Sequence, residues 1–187
     1  MIILASNSPR RKEILTKFGY EFKVIKSEFI EKNGNSDPIA TATAFAKGKA
    51  SEVFSRLKCG KYNDRITVIG ADTVVYFNGQ ILGKPKDSAD AFKTLKMLSG
   101  KEHTVVSGYA ILSDKKQVFG YDKSTVLFNH LSDKLINAYV ATGKPLDKAG
   151  SYGVQDGFDI VNKVTGSVYN VIGFPIEKIK PILDAIY

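Results

Sequence analysis

Residues 66–82 read Ile66-Thr67-Val68-Ile69-Gly70-Ala71-Asp72-Thr73-Val74-Val75-Tyr76-Phe77-Asn78-Gly79-Gln80-Ile81-Leu82. Ile66 to Ala71 is an apolar run of strand length that ends in Asp72. Thr73 to Phe77 continue extended in β-branched and aromatic residues. Asn78-Gly79 is then a strong hairpin turn, and Gln80 to Leu82 can be the return strand. A buried strand that runs into a hairpin does not belong to a strictly doubly wound parallel sheet, so this stretch points to an α/β or α+β mixed sheet.

Outward from it, the remaining elements alternate irregularly. On the N-terminal side, Ile2 to Ala5 reads as a short buried strand and residues 9–18 as a helix. Ser8 suits the N-cap, Pro9 the first helical position and Gly19 the stop. Phe22, Val24 and Ile25 suggest a second strand, and residues 32–38 a loop. A long helix is expected from Ile39 to Leu57, because Ala42, Phe45, Ala46, Ala50, Val53, Phe54 and Leu57 recur at helical spacing. Residues 58–65 read as polar connector.

On the C-terminal side, Asp87 or Ser88 caps a helix that runs to Leu98 and closes at Gly100. Thr104–Leu112 and Gln117–Phe128 read as two long strands. Ser132 starts a helix with Leu135, Ile136, Tyr139 and Val140 inward. A Gly-rich stretch spans 143–157. Phe158–Val164 and Val168–Ile172 are expected to pair around Thr165-Gly166, and Pro175 to open a final helix. The whole predicts one domain over 1–187: a mixed twisted sheet flanked by helices.

Composition narrows the function classes. With 187 residues and 43% hydrophobic content the chain can bury a full core without staples. No apolar run approaches the ~20 residues that span a bilayer. The apolar start Met1–Ala5 is too short for a signal peptide and lacks a basic region before it. A lone Cys59 excludes an internal disulfide and a cysteine zinc cage, which points to the cytoplasm. The net charge of +8 favours anionic partners. The basic residues are scattered, and no helix-turn-helix, RRM or zinc-finger pattern accompanies them, so nucleic acid is not the expected partner.

Four stretches carry chemistry. If Ser8 caps the first helix, Arg10 and Arg11 sit in its first turn, where cations oppose the helix dipole. Free amides and two guanidinium forks there would hold a polyphosphate. The alternative is that the arginines reach solvent or pair with Glu13. Asp72 closes the apolar run, and a carboxylate at a strand end can hold a divalent metal or act as general base on water. The alternative there is an Asx turn. In Gly83-Lys84-Pro85 the lysine is held in an extended loop that can aim its ammonium, or is an ordinary surface lysine. Lys47 and Lys49 point in different directions on the long helix, so at most one faces a shared site. In Asp147-Lys148-Ala149-Gly150-Ser151-Tyr152-Gly153-Val154-Gln155 the glycines allow close backbone approach, and Gln155 could read a donor and an acceptor on a base edge. His103 and His130 have no zinc-like spacing.

Taken together these stretches resemble the Maf family of nucleotide pyrophosphatases. The match runs in order through Leu4-Ala5-Ser6-Asn7-Ser8-Pro9-Arg10-Arg11, Gly70-Ala71-Asp72-Thr73-Val74-Val75, Leu82-Gly83-Lys84-Pro85, Leu98-Ser99-Gly100-Lys101-Glu102-His103, the segment Pro145–Gln155, and Gly166-Ser167-Val168-Tyr169-Asn170-Val171-Ile172-Gly173-Phe174-Pro175. The resemblance implies two lobes around a cleft, a fold related to inosine-triphosphate pyrophosphatases, and a homodimer. It also implies hydrolysis of a nucleoside triphosphate to the monophosphate and pyrophosphate with Mg²⁺ or Mn²⁺. Asp72 then looks like the proton acceptor, and Glu31, with Asp72, the acidic group near the metal. Ser6, Arg10, Arg11, Lys49, Lys84 and Lys148 look like substrate contacts. Arg11, Thr73 and Gln155 resemble the specificity set of the branch acting on dTTP and UTP. Asp156-Gly157-Phe158-Asp159 departs from the Gly-rich run more usual after Gln155. Other readings are a pyrophosphatase for 7-methyl-GTP or another purine nucleotide, and a nucleic-acid-binding or cell-division module, motivated by the charge and the family's association with septum formation.

Overall fold

A computed structural model describes residues 1–32, 36–59 and 65–186. Its centre is one seven-stranded mixed sheet. Strand β1 (Ile2–Leu4) lies parallel to both β2 (Phe22–Val24) and β3 (Thr67–Phe77). The other pairings are antiparallel: β3 with β4 (Gln80–Leu82) and with β5 (Glu102–Ser113), β5 with β6 (Gln117–Phe128), and β6 with β7 (Val161–Thr165). The helices are α1 (Pro9–Lys17), α2 (Pro38–Cys59), α3 (Ser88–Leu98), α4 (Asp133–Ala141), α5 (Val168–Ile172) and α6 (Ile176–Asp184). Two 3-10 turns, Lys144–Asp147 and Ala149–Ser151, lie between α4 and β7.

The period-2 alternation of β3 sorts the core onto two faces. Val68 and Val74 pack with α2 residues Ala42, Ala46, Ala50 and Val53. The helix comes close because Gly70 and Gly108 lie beneath it. A Cβ at Gly70 would collide with the Ala46 carbonyl, and one at Gly108 with that of Ala42. On the other face the core divides. Ile69 and Ala71 pack with α1 and α6 through Leu15, Ile176 and Leu183. Val75 and Phe77 pack with α3 and α4 through Leu95, Leu98, Ile136 and Tyr139. Thr73 falls at the join.

The hairpin at Asn78-Gly79 forms as expected, with Val75 opposite Leu82. Both residues have positive φ, 47° and 81°, which Asn and Gly tolerate best. Asp87 caps α3 by accepting from Asp90 N–H, and Ser132 caps α4 by accepting from Leu135 N–H. Pro38 opens α2, with the Asp37 carboxylate accepting from Ile39 N–H at 2.8 Å. Lys58 and Cys59 still belong to that helix. Residues 33–35 of the expected loop and 60–64 of the expected connector lie outside the described residues.

One element differs. Val168–Ile172 is helix α5, not a strand paired with Phe158–Val164. Its apolar, β-branched composition reads as strand, but the ends decide otherwise. Ser167 Oγ accepts from Asn170 N–H at the start, and Gly173 closes the turn at φ 111°. Strand β7 begins only at Val161 and pairs with β6 instead.

Candidate active site

The cleft opens where β3 loses its neighbour. Along one edge β1 covers residues 67–69 and β4 covers 75–77. Between them no strand lies against that edge among the described residues. Asp72 is therefore not at a strand end, as the apolar run suggested, but midway along an eleven-residue strand, at a gap in the sheet. Around this gap lies a cavity of about 860 Å³. Ser6, Arg10, Arg11, Glu31, Lys49, Asp72, Thr73, Lys84, Lys148 and Gln155 all line it. These residues come from β3, from α1 and α2, and from loops far apart in sequence.

Asp72 points to the α2 face, where the Lys49 ammonium donates to its Oδ1 at 2.6 Å. Glu31 Oε1 lies 2.6 Å from the same ammonium. Lys47 points elsewhere, over the Phe119 ring. Glu31 is brought in because the preceding segment is stitched to α2. Ser27 Oγ and Glu28 N–H both donate to Glu52, Arg56 donates to the Lys26 carbonyl, and the Phe29 ring lies on Gly48. Glu28 is occupied with Arg56 and does not face the cleft acid. Burial raises the Asp72 carboxyl above its ordinary value. Lys49 and Arg11 oppose that rise, and Glu31 adds to it.

The two arginines of α1 diverge. Ser8 holds the N-cap position in an extended conformation, but its side chain makes no capping bond, and Pro9 follows at N1. The first-turn amides of the helix thus have no side-chain cap, and Ser8, Pro9, Arg10 and Arg11 line the cleft. Arg11 Nε donates to the Gly173 carbonyl at 2.9 Å and Nη1 to Ser6 Oγ at 3.0 Å. Burial lowers the Arg11 guanidinium from its ordinary value, with Asp72 opposing. Arg10 reaches across to Asp147 at 2.9 Å, not to Glu13. Asp147 also takes Lys148 at 2.8 Å. Burial pushes the Asp147 carboxyl up, but hydrogen bonds from Lys148 and Arg10 outweigh it and hold it below the ordinary range.

Lys148 is nearly buried, and its ammonium bonds Asp147, the Lys144 carbonyl at 2.5 Å and Asp156 at 3.3 Å. It ties the loop together. Asp156, the departure noted in the sequence, also accepts from Tyr139 Oη at 2.5 Å. Lys84 and Gln155 are exposed on the cleft wall. The Gly83 carbonyl accepts from Gly150 N–H at 3.1 Å, which ties the Lys84 loop to the 3-10 turns.

Over residues 1–186 the chain matches the family described as Maf-like protein. The chain belongs to the Maf family. It is 48% identical over 178 residues to a protein of Thermococcus kodakarensis named dTTP/UTP pyrophosphatase, covering 95% of this chain and 92% of the relative. It is 46% identical over 184 residues to one of the same name from Clostridium tetani, covering 95% and 93%. A Pyrococcus furiosus protein, again of that name, is 45% identical over 185 residues, covering 98% and 94%.

Behind the wall of the Maf-family cleft lie buried polar residues that sequence reading missed. Thr73 Oγ1 and Ser107 Oγ are 2.8 Å apart, and Ser107 is fully buried. Ser107 Oγ donates to the Asn170 carbonyl at 2.8 Å, and its N–H donates to Asn170 Oδ1 at 3.0 Å. A signal existed: Ser107 and Asn170 are lone polar residues inside apolar runs, where burial demands partners. His103 is buried, and its Nε2 lies 2.7 Å from Tyr152 Oη.

The family resemblance implies a divalent metal. Among the described residues no cluster of three or more His, Cys, Asp or Glu side chains is placed to hold one alone. Mg²⁺ does not need such a cage, because it commonly takes one or two carboxylates and completes its shell with substrate phosphates and water. Asp72 and Glu31 already converge on one cation, the Lys49 ammonium, at 2.6 Å each. The carboxylate pair fits the metal.

Proposed function

We propose that this chain hydrolyses dTTP and UTP to the nucleoside monophosphate and pyrophosphate. The observation that carries the reading is the convergence in one cleft of a carboxylate pair on Lys49 with the arginine-bearing, uncapped start of α1. An acid pair alone would suit many hydrolases. A cationic helix start beside it suits a polyphosphate. The relatives' names supply the nucleotide.

Asp72 accepts a proton from the water that attacks the α-phosphorus. Its buried setting, which raises its proton affinity, suits that task. Mg²⁺ or Mn²⁺ held by Asp72 and Glu31 would neutralise phosphate charge and orient the α-phosphate. Arg10, Arg11, Lys49, Lys84 and Lys148 bind the triphosphate and stabilise the departing pyrophosphate. Ser6 is part of the same contact set. Arg11, Thr73 and Gln155 select the pyrimidine. The enzyme works in the cytoplasm as a single domain. No helix among the described residues is long and apolar enough to cross a membrane.

The test is a hydrolysis screen over common and modified triphosphates with Mg²⁺, including 7-methyl-GTP. Pyrophosphate release that is fastest from dTTP and UTP is expected. Preference for a purine nucleotide, or inertness toward all triphosphates, would overturn the reading.

A further inference from the structure

Ser6 and Thr73 each bring a hydroxyl to the cleft, and the surrounding chain fixes where each proton points. Ser107 Oγ gives its single proton to the Asn170 carbonyl, a group that only accepts. The Thr73–Ser107 bond must then run from Thr73 to Ser107. In the reverse direction the Ser107 and Asn170 oxygens would face each other at 2.8 Å with no proton between them. Asn170 locks this direction. It is fully buried, its Oδ1 accepts from Ser107 N–H, and its Nδ2 donates to the Val105 carbonyl at 3.1 Å and to Ser124 Oγ at 2.9 Å. Thr73 therefore spends its proton inward and shows the cleft only lone pairs. Ser6 is the opposite case. Its Oγ accepts from Arg11 Nη1 at 3.0 Å and from Ser8 N–H at 3.2 Å, so a proton is what it has left to give.

An acceptor-only hydroxyl cannot serve phosphate oxygens, which also only accept. Among the groups of dTTP and UTP, the donors common to both are the imide N3–H of the base and the 3′-hydroxyl. Val75 and Val105 share the face of Thr73 and line the cleft, a surface suited to a flat base. Cytosine presents an acceptor at N3, which would meet the Thr73 lone pairs. We infer that Ser107 and Asn170 are positioning residues for base choice: they lock the Thr73 hydroxyl as an acceptor for the imide N–H of uracil or thymine and so disfavour cytosine. This rests on the pyrimidine-triphosphate reading above.

The test compares kcat/KM for UTP and CTP in the wild type and in Ser107→Ala, with thermal melting to verify folding. Ser107→Ala frees the Thr73 proton to turn into the cleft. The UTP-to-CTP ratio should fall by about tenfold or more, chiefly through better use of CTP. A folded Ser107→Ala protein with an unchanged ratio overturns the inference. Should that variant fail to fold, two analogues decide it on the wild-type enzyme. N3-methyl-UTP should be a poor substrate and 3′-deoxy-TTP a good one. The reverse pattern would assign Thr73 to the sugar and overturn the inference while leaving the proposed activity intact. A wild type inert to both UTP and dTTP would overturn the two together.

Discussion

Asp72 and Thr73 are adjacent, line the same cleft, and live in opposite electrostatic settings. Asp72 faces α2, where every polar partner is charged: Lys49 touches it, and Glu31 shares that lysine. Thr73 faces the other way, where its hydrogen-bond partner Ser107 is neutral and is held in turn by Asn170. Charged pairs at a half-open cleft can exchange partners when a polyanion or a cation arrives. A buried neutral chain of hydrogen bonds cannot rearrange without stranding a donor or acceptor, which costs roughly 1–3 kcal/mol per group. One strand thus offers a face for chemistry and a face for discrimination.

The largest effect should come from the charged face. Asp72→Asn keeps the shape and removes the proton acceptor. Steady-state hydrolysis of UTP should show kcat lowered by about 10²-fold or more. Equal activity in the two proteins would move the chemistry off this face.

The neutral face should answer to pH instead. Burial holds His103 down to about 4, below its ordinary 6.5. The unfolded state therefore binds the proton more readily, so the stabilisation from neutral His103 is complete above about pH 6.5 and is lost as pH falls toward 4. A fall of that size corresponds to roughly 3 kcal/mol. Urea denaturation of wild type and His103→Gln at several pH values across this window should show a shallower slope in the variant. An unchanged slope would assign the acid sensitivity to carboxylates.

How close α2 lies to β3 and β5 sets the geometry of the charged face. Gly108→Ala would drive a methyl group into the Ala42 backbone. A loss of about 1–3 kcal/mol is expected by thermal or chemical melting, because the helix must lift. No loss would mean that the helix has room to shift. The smallest effect belongs to the Arg10–Asp147 bridge, whose acid is 59% exposed at the side chain. Arg10→Gln, which leaves the Asp147–Lys148 pair in place, should change the thermal melting stability by less than about 1 kcal/mol.

Most of the fold was legible because its signals are local. The Asn78-Gly79 turn, the Asp87 and Ser132 caps and the helical spacing of Ala42, Ala46 and Ala50 each act over a few residues. Helix α5 has the composition of a strand, Val-Tyr-Asn-Val-Ile, and its helical state is set by Ser167, Gly173 and the burial of Asn170. The residues of the cleft could be named from family motifs, but their arrangement could not. That Asp72 sits at a gap between β1 and β4 depends on where two other strands stop. That Lys148 is tied up by Asp147 and Asp156 depends on how the loop returns. The pairing of Ser107 with Asn170 is not legible locally, because the two lie 63 residues apart.

The central claim is that this cleft directs water at the α-phosphorus of a pyrimidine triphosphate. Hydrolysis of UTP in water carrying a heavy oxygen isotope, with mass analysis of both products, tests it most directly. The account predicts UMP and pyrophosphate, with the heavy oxygen in UMP. Heavy oxygen in pyrophosphate, or release of UDP and orthophosphate, would contradict it.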